Sequence, residues 1–348
     1  MLRYLARNSQ YPSRATHGRS KSPLDLGRFT TLREKMLSDE KPLPSNLKKR
    51  EKRGLPKTAK LAFRSLGRKI LFKMPTHRQG MEGAFLVTPS SPFILSDYYL
   101  SEEVTKLRLQ YLNPKSLPIG PRTVFIPNSI IFCQVDQLEE FAEKFLSKID
   151  VPITLITGKW SLPGLSDTPV AREILKNPWV VRWYSQNQIF DHLEIEPFPY
   201  GVNFLSAHKV FREQRRAKQD TSRIDLLVPF ARVHSHLPTL AKQMRRRLQP
   251  LMEKKLPIRR YLASLRAAKY VISPPGDRPD TYRHWECIAL GTIPVSQLPR
   301  SFAELFQGTA ILTDDLLGFS IPSIPGSHVR PNPRVAELSF WKDRLGEP

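Results

Sequence analysis

The sequence predicts an α/β protein made of two Rossmann-like domains in series, preceded by a basic, mostly disordered N-terminal arm. Three observations carry this reading. Short apolar runs alternate with amphipathic segments from residue 81 onward, a complete strand-loop-helix-strand unit lies between Tyr270 and Ser296, and the positive charge is concentrated ahead of both.

The arm is defined by charge and proline. Of 55 Lys plus Arg and 32 Asp plus Glu in 348 residues, the first 80 residues hold 21 and 5, so +16 of the formal +23 lies there and +7 in the remaining 268. Pro12, Pro23, Pro42, Pro44 and Pro56 interrupt it, and so polar a composition cannot bury enough apolar surface to offset its ordering entropy. Within it Lys48 to Lys73, carrying Leu61, Phe63, Leu66, Ile70 and Leu71, is compatible with a basic amphipathic helix for an anionic membrane or polyanion, or with a solvated charge run. No run of 18 apolar residues and no apolar signal core is present, so neither a transmembrane helix nor a secretory signal is expected. Residues 1–24, free of acids and containing Arg and Ser, resemble an organelle transit segment.

From residue 81 the elements follow in order. Phe85 to Thr88, Val124 to Pro127 and Ile130 to Gln134 are expected as strands, Gln137 to Lys148 as a helix with Leu138, Phe141, Phe145 and Leu146 inward, and Ile153 to Thr157 as the next strand. Asp167 to Leu175 reads as a helix and Val180 to Tyr184 as a strand, completing a first domain over 81–205. The polar stretch 203–223 is expected as a hinge. A second domain, 206–330, opens with the strand Ile224 to Pro229 and continues through helices Leu237 to Met252 and Ile258 to Lys269. Residues 331–348 form a tail in which Phe340 and Trp341 share a helical face directed at the first domain. Cys133 and Cys287 fall in apolar strand and helix positions, far apart, and read as buried small hydrophobes. His234 and His236 lack an acidic or cysteine partner at ligand spacing, so no metal site is expected.

Residues 270–296 carry the chemistry. Pro274, Pro275 and Gly276 end an apolar strand, Thr281 to Leu290 has helical spacing that stops at Gly291, and Ile293 to Ser296 is a second strand. In such crossovers ligands sit outside the carboxyl ends of the strands, where loop N–H groups and a helix N-terminus favour phosphate. Arg278, Arg283 and Glu286 cluster at this point, and Arg283 and Glu286, three apart, share a helical face. A guanidinium fork matches a diphosphate and a carboxylate suits paired ribose hydroxyls, although a surface ion pair between the two uses the same residues.

Ser273-Pro274-Pro275-Gly276, then Asp280-Thr281-Tyr282-Arg283-His284-Trp285-Glu286-Cys287, then Leu290-Gly291-Thr292-Ile293-Pro294-Val295 resemble the exostosin-like glycosyltransferases, family 47 and its relatives. The one departure in this block is Cys287, where the family has Ala. Upstream, Trp183-Tyr184-Ser185-Gln186-Asn187 and Pro197-Phe198-Pro199-Tyr200-Gly201-Val202 resemble two further family segments, while His192-Leu193-Glu194 stands where the family shows His-Pro-Lys. The resemblance covers roughly residues 124–320 and is strongest over 258–300. It implies a GT-B arrangement and transfer of a sugar from a nucleotide-diphospho-sugar, a UDP-sugar, to a glycan or glycoprotein acceptor, with inversion and without a metal. It also implies a Golgi location, against the organelle or cytoplasmic location that the N-terminus suggests.

On this reading Arg278 and Arg283 neutralise the diphosphate, Glu286 takes the ribose, and the backbone from Gly276 to Asp280 assists at the phosphates. Asp191 and His192 are the candidates for the general base, with Asp97 and Glu102 behind them, and Trp183 either stacks on a sugar or belongs to the core. Two alternatives stay open: a basic protein associated with nucleic acid or the ribosome, and a catalytically inactive relative. Against the first, the charge lies mostly outside the folded part, and no zinc knuckle or RNP-like motif is seen, so specific nucleic-acid recognition is not expected.

Overall fold

The computed structural model describes residues 85–106, 109–158, 164–186, 188, 192, 194–216, 224–234, 237–298, 301–319 and 329–346. The chain divides into Met1–Lys69 and Ile70–Pro348, and all described residues belong to the second unit. The expectations for the arm, the helix at 48–73 and the transit-like segment therefore lie outside the described residues.

Six strands form a first parallel sheet: β1 (Tyr98–Leu100), β2 (Leu117–Pro118), β3 (Ser129–Gln134), β4 (Ile153–Gly158), β5 (Val180–Ser185) and β6 (Ile195–Pro197), in the order β2-β1-β3-β4-β5-β6. The order reverses between β1 and β3, so crossovers leave in both directions and cover both faces. That is why β3 and β4 are near-continuous apolar runs, with Ile131, Cys133, Ile153, Leu155 and Ile156 fully buried. Helices α1 (Ser91–Leu95) and α2 (Glu102–Lys106) flank β1 in the chain. Helices α3 (Leu138–Lys144) and α4 (Pro169–Leu175) bury Leu138, Phe141 and Ile174 in one cluster with Trp183, and the Thr168 hydroxyl caps α4 by accepting from the Ala171 N–H at 3.1 Å.

After α5 (Ala207–Arg215) comes β7 (Ile224–Leu227), then α6 (Thr239–Leu248), α7 (Ile258–Ala267), β8 (Ala268–Ile272), α8 (Tyr282–Ala289), β9 (Ile293–Ser296), α9 (Phe302–Leu305) and β10 (Ile311–Leu312). These strands make a second parallel sheet in the order β10-β9-β8-β7. The chain ends in α10 (Leu338–Gly346), whose Trp341 packs on Phe198 at 5.4 Å between ring centres and whose Arg344 pairs with Glu196 at 2.9 Å. Glu337, just ahead of it, bridges antiparallel to Leu86.

The observed elements differ from the expected ones at three places. Within the polar stretch 203–223 expected as a hinge, Ala207–Arg215 form α5, because Ala207, Val210 and Phe211 fall three and four apart and turn one face into the core, with Glu213 paired to Arg266 at 2.9 Å, while residues 217–223 lie outside the described residues. Ile156, Tyr184 and Phe198 of the first layer share one buried cluster with Trp285, Phe302 and Phe306 of the second, so the layers meet through a common core. Val124 to Pro127 is not a strand: Val124 and Ile126 are exposed, and Pro127 with the left-handed Asn128 (φ 62°) turns the chain before the ladder begins at Ser129. Phe85 to Thr88 joins neither sheet and is held by an isolated bridge at Leu86 and backbone hydrogen bonds to Ala336, Leu338 and Val202.

Candidate functional site

The site is assembled where β7 and β8 end. β8 runs into Ser273-Pro274-Pro275-Gly276, where proline removes the donors a ladder needs and stops the strand. Helix α8 then starts at Tyr282, with the fully buried His284 ring fastening its first turn. The Thr281 N–H donates to His284 Nδ1 at 3.0 Å, so the ring proton sits on Nε2, and burial and the Arg283 charge hold its pKa down to about 3. The ring stacks on Phe306 at 5.8 Å, so this histidine is a neutral structural piece.

Beyond these strand ends lies a cavity of about 470 Å³, lined by Ser206 and Lys209 from the α5 region, Arg245 from α6, Tyr261 from α7, and Tyr282, Arg283 and Glu286 from α8. Arg283 donates through Nη2 to the Phe230 carbonyl at 2.5 Å and through Nε to the Tyr261 hydroxyl at 3.4 Å, and that hydroxyl donates to Glu286 Oε2 at 2.8 Å. The pair Arg283 and Glu286 is thus joined through the half-buried Tyr261 phenol and is no simple surface ion pair. Burial pushes the Glu286 carboxyl up to about 7 against the opposing pull of Tyr261 and Arg283. Arg245 donates to the Pro275 carbonyl at 2.9 Å and the Arg232 carbonyl at 2.8 Å, clamping the loops after β8 and β7 together. Burial and the neighbouring Arg283 bring its pKa down to about 10, which leaves it charged at neutral pH. A second hollow of about 380 Å³ shares Tyr261 and Arg283 with the first and is closed by Phe230, Lys254, Lys255 and Leu256.

The sequence candidates separate into two groups here. Arg283 and Glu286 line the main cavity, while Gly276, Arg278 and Asp280 do not. Asp280 is fully buried and its Oδ2 accepts from the Tyr200 N–H at 2.8 Å and the Trp285 indole N–H at 2.7 Å, tying the first layer to α8. Arg278 is buried with its guanidinium 4.0 Å above the Tyr200 ring, and the Tyr200 hydroxyl lies 3.1 Å from that of Tyr282. Gly276 spends its N–H on the Arg278 carbonyl, and a Cβ there would come within 2.9 Å of Thr281 Cγ2 and 3.0 Å of Arg245 Nη2. These three hold the loop rather than face the cavity. Gly201 does the same for Tyr200: its φ is +78° and a Cβ would strike the Val87 carbonyl at 2.2 Å.

Asp191 lies outside the described residues. His192 does not line the cavity, and its Nδ1 accepts from the Glu194 N–H at 3.1 Å. Asp97 accepts from the Ile130 N–H at 2.8 Å at the amino end of β1, Glu102 pairs with Lys106, and neither lines the cavity. Trp183 is core, donating to the Thr157 hydroxyl at 3.0 Å. Among the described residues no group of three or more His, Cys, Asp or Glu could hold a metal ion, and both cysteines are buried and free.

Sequence reasoning missed Lys209, Arg245 and Tyr261. Arg245 did carry a signal: it lies four after the buried Ala241 and one after the buried Met244, at the edge of the apolar stripe of α6 rather than on its solvent face. Lys209 had none, since its segment reads as linker. Chemically, the cavity sets three cations, Lys209, Arg245 and Arg283, beside one carboxyl and several hydroxyls, a combination suited to an anion that also carries hydrogen-bonding hydroxyl groups. No protein-family model matches the chain, and a search of curated proteins finds no match either. Among the described residues no helix is long and apolar enough to cross a membrane.

Proposed function

We propose that this protein is a glycosyltransferase of exostosin-like type that uses a nucleotide-diphospho-sugar, a UDP-sugar, and transfers the sugar to a glycan or glycoprotein acceptor. One observation carries the reading: Lys209, Arg245 and Arg283 stand around a single cavity with Glu286, at the carboxyl ends of two parallel strands. The two sheets then act as the two layers of a GT-B enzyme, and the reaction inverts the sugar without a metal. The acceptor oxygen bonds to the anomeric carbon while the bond from that carbon to the β-phosphate oxygen breaks, and the electron pair leaves on the diphosphate. The three cations stabilise that developing charge, and Glu286 accepts from the ribose hydroxyls. Arg278 and Asp280 are reassigned from donor ligands to supports of the loop. The base that takes the acceptor proton is assigned to Asp191, since the Nδ1 of His192 is already bonded to the chain.

The test uses the full chain. Millimolar UDP is expected to raise the melting temperature and single-stranded RNA is not. Arg283→Ala should weaken UDP binding by about 10- to 100-fold and uridine binding much less, because the lost charge-assisted hydrogen bond is worth about 1.5–3 kcal/mol at the phosphates, whereas the ribose feels Arg283 only through Glu286. Equal losses for UDP and uridine, or stabilisation by RNA alone, overturn the assignment.

A further inference from the structure

The segment from Thr239 to Arg260 holds eight lysines and arginines against one acid, Glu253. Its net +7 equals the whole positive excess of residues 81–348, so the remainder of that range is neutral on balance. Arg246, Arg247, Lys254, Lys255, Arg259 and Arg260 are all exposed, and among the described residues none enters an ion pair. Arg259 and Arg260 occupy the first turn of α7, which has no acid, and so sit at the positive end of the helix dipole. An isolated protein would favour acids there; a negatively charged surface outside the molecule removes the conflict.

The same segment exposes large aliphatic side chains: Leu240, Leu251 and Leu256 are 64%, 60% and 37% accessible. The loop between α6 and α7 is fixed rather than free. The Ala231 N–H donates to the Met252 sulfur at 3.3 Å and the Glu253 N–H to the Val228 carbonyl at 2.8 Å, so the middle of the loop is pinned to the exit of β7. Leu251 on one side and Lys254 to Leu256 on the other stay exposed.

We infer that the α6–α7 segment is a docking surface for an anionic lipid bilayer, with its cations among the headgroups and Leu251 and Leu256 at the acyl boundary. Charge complementarity argues for an anionic partner, and aliphatic tips argue for lipid over nucleic acid, whose single-stranded binding surfaces stack bases on aromatic rings. Lys254, Lys255 and Leu256 also wall the hollow that adjoins the main cavity, so the docked loop would lie beside the candidate site.

The arm alone could hold the full chain on vesicles, so the experiment reads the loop itself. Leu256→Cys in the full chain is labelled with an environment-sensitive fluorophore, since Cys133 and Cys287 are buried. The label is expected to shift to the blue on phosphatidylserine–phosphatidylcholine vesicles, not on pure phosphatidylcholine and not with single-stranded RNA, and the shift should fade with salt. Lys254→Glu with Lys255→Glu should weaken the binding that produces the shift by at least about 25-fold, at roughly fivefold per cation removed. Leu251→Cys repeats the measurement should the first variant fold poorly. Absence of vesicle binding, binding without a blue shift at either position, or loss of RNA binding alone in the double charge reversal each overturns the inference.

Discussion

Asp280→Ala separates a structural tie from a ligand. The carboxylate is fully buried and accepts two hydrogen bonds at 2.8 and 2.7 Å, from the Tyr200 N–H on the first layer and the Trp285 indole on α8. Removing it leaves both donors buried without a partner, at about 1–3 kcal/mol each. Part of that is returned, because burial holds the Asp280 carboxyl above its usual range and the charged form is itself disfavoured. A net loss of about 2–4 kcal/mol is expected, which for a folded part of this size lowers the melting temperature by about 5–15 °C. Asp280→Asn keeps an acceptor oxygen for the two donors and should lose less. Urea titrations followed by tryptophan fluorescence give the midpoints, and calorimetry gives UDP affinity in parallel. Unchanged midpoints together with lost UDP binding would refute the argument and return Asp280 to the donor site.

Glu286→Gln should change how stability depends on pH. With its folded pKa raised from 4.5 to about 7, native Glu286 binds its proton more tightly than the unfolded chain does. Wild-type stability is therefore full below the unfolded value and falls as pH rises from about 4.5 to about 7, by on the order of 3 kcal/mol, a loss the Gln variant escapes. Urea midpoints at pH 4 and pH 8 measure it, and parallel changes in both proteins would contradict the burial argument. Ionisation should also strengthen ribose binding, so uridine affinity should rise through about pH 7 in the wild type only. Trp341→Ala deletes a buried indole packed on Phe198 and should cost about 3–5 kcal/mol, with faster hydrogen exchange over α10; an unmoved midpoint would show that α10 contributes little to the core.

Local signals in the chain suffice for several elements. β3, β4, β5 and β9 were legible because a buried parallel strand is a short apolar run ended by turn residues, and α8 because Tyr270 to Val295 spells out a crossover with proline and glycine at its joints. α5 was illegible by composition: its charges outnumber the apolar residues Ala207 and Val210 that it buries. β2 and β10, two residues each, carry no periodicity at all.

At the site, the sequence by itself determined that Arg283 and Glu286 share one helical face after a strand that must end at Pro274, and that positive charge is unevenly spread along the chain. Only the tertiary structure decided that Arg278 and Asp280 turn inward to Tyr200 and Trp285, while Lys209, Arg245 and Tyr261 complete the cavity. The reason is physical. Which side of a helix an arginine occupies follows from a period of 3.6 residues, but what it meets there is supplied by segments tens of residues away, and a residue's neighbours across a cavity leave no mark on its own stretch of chain.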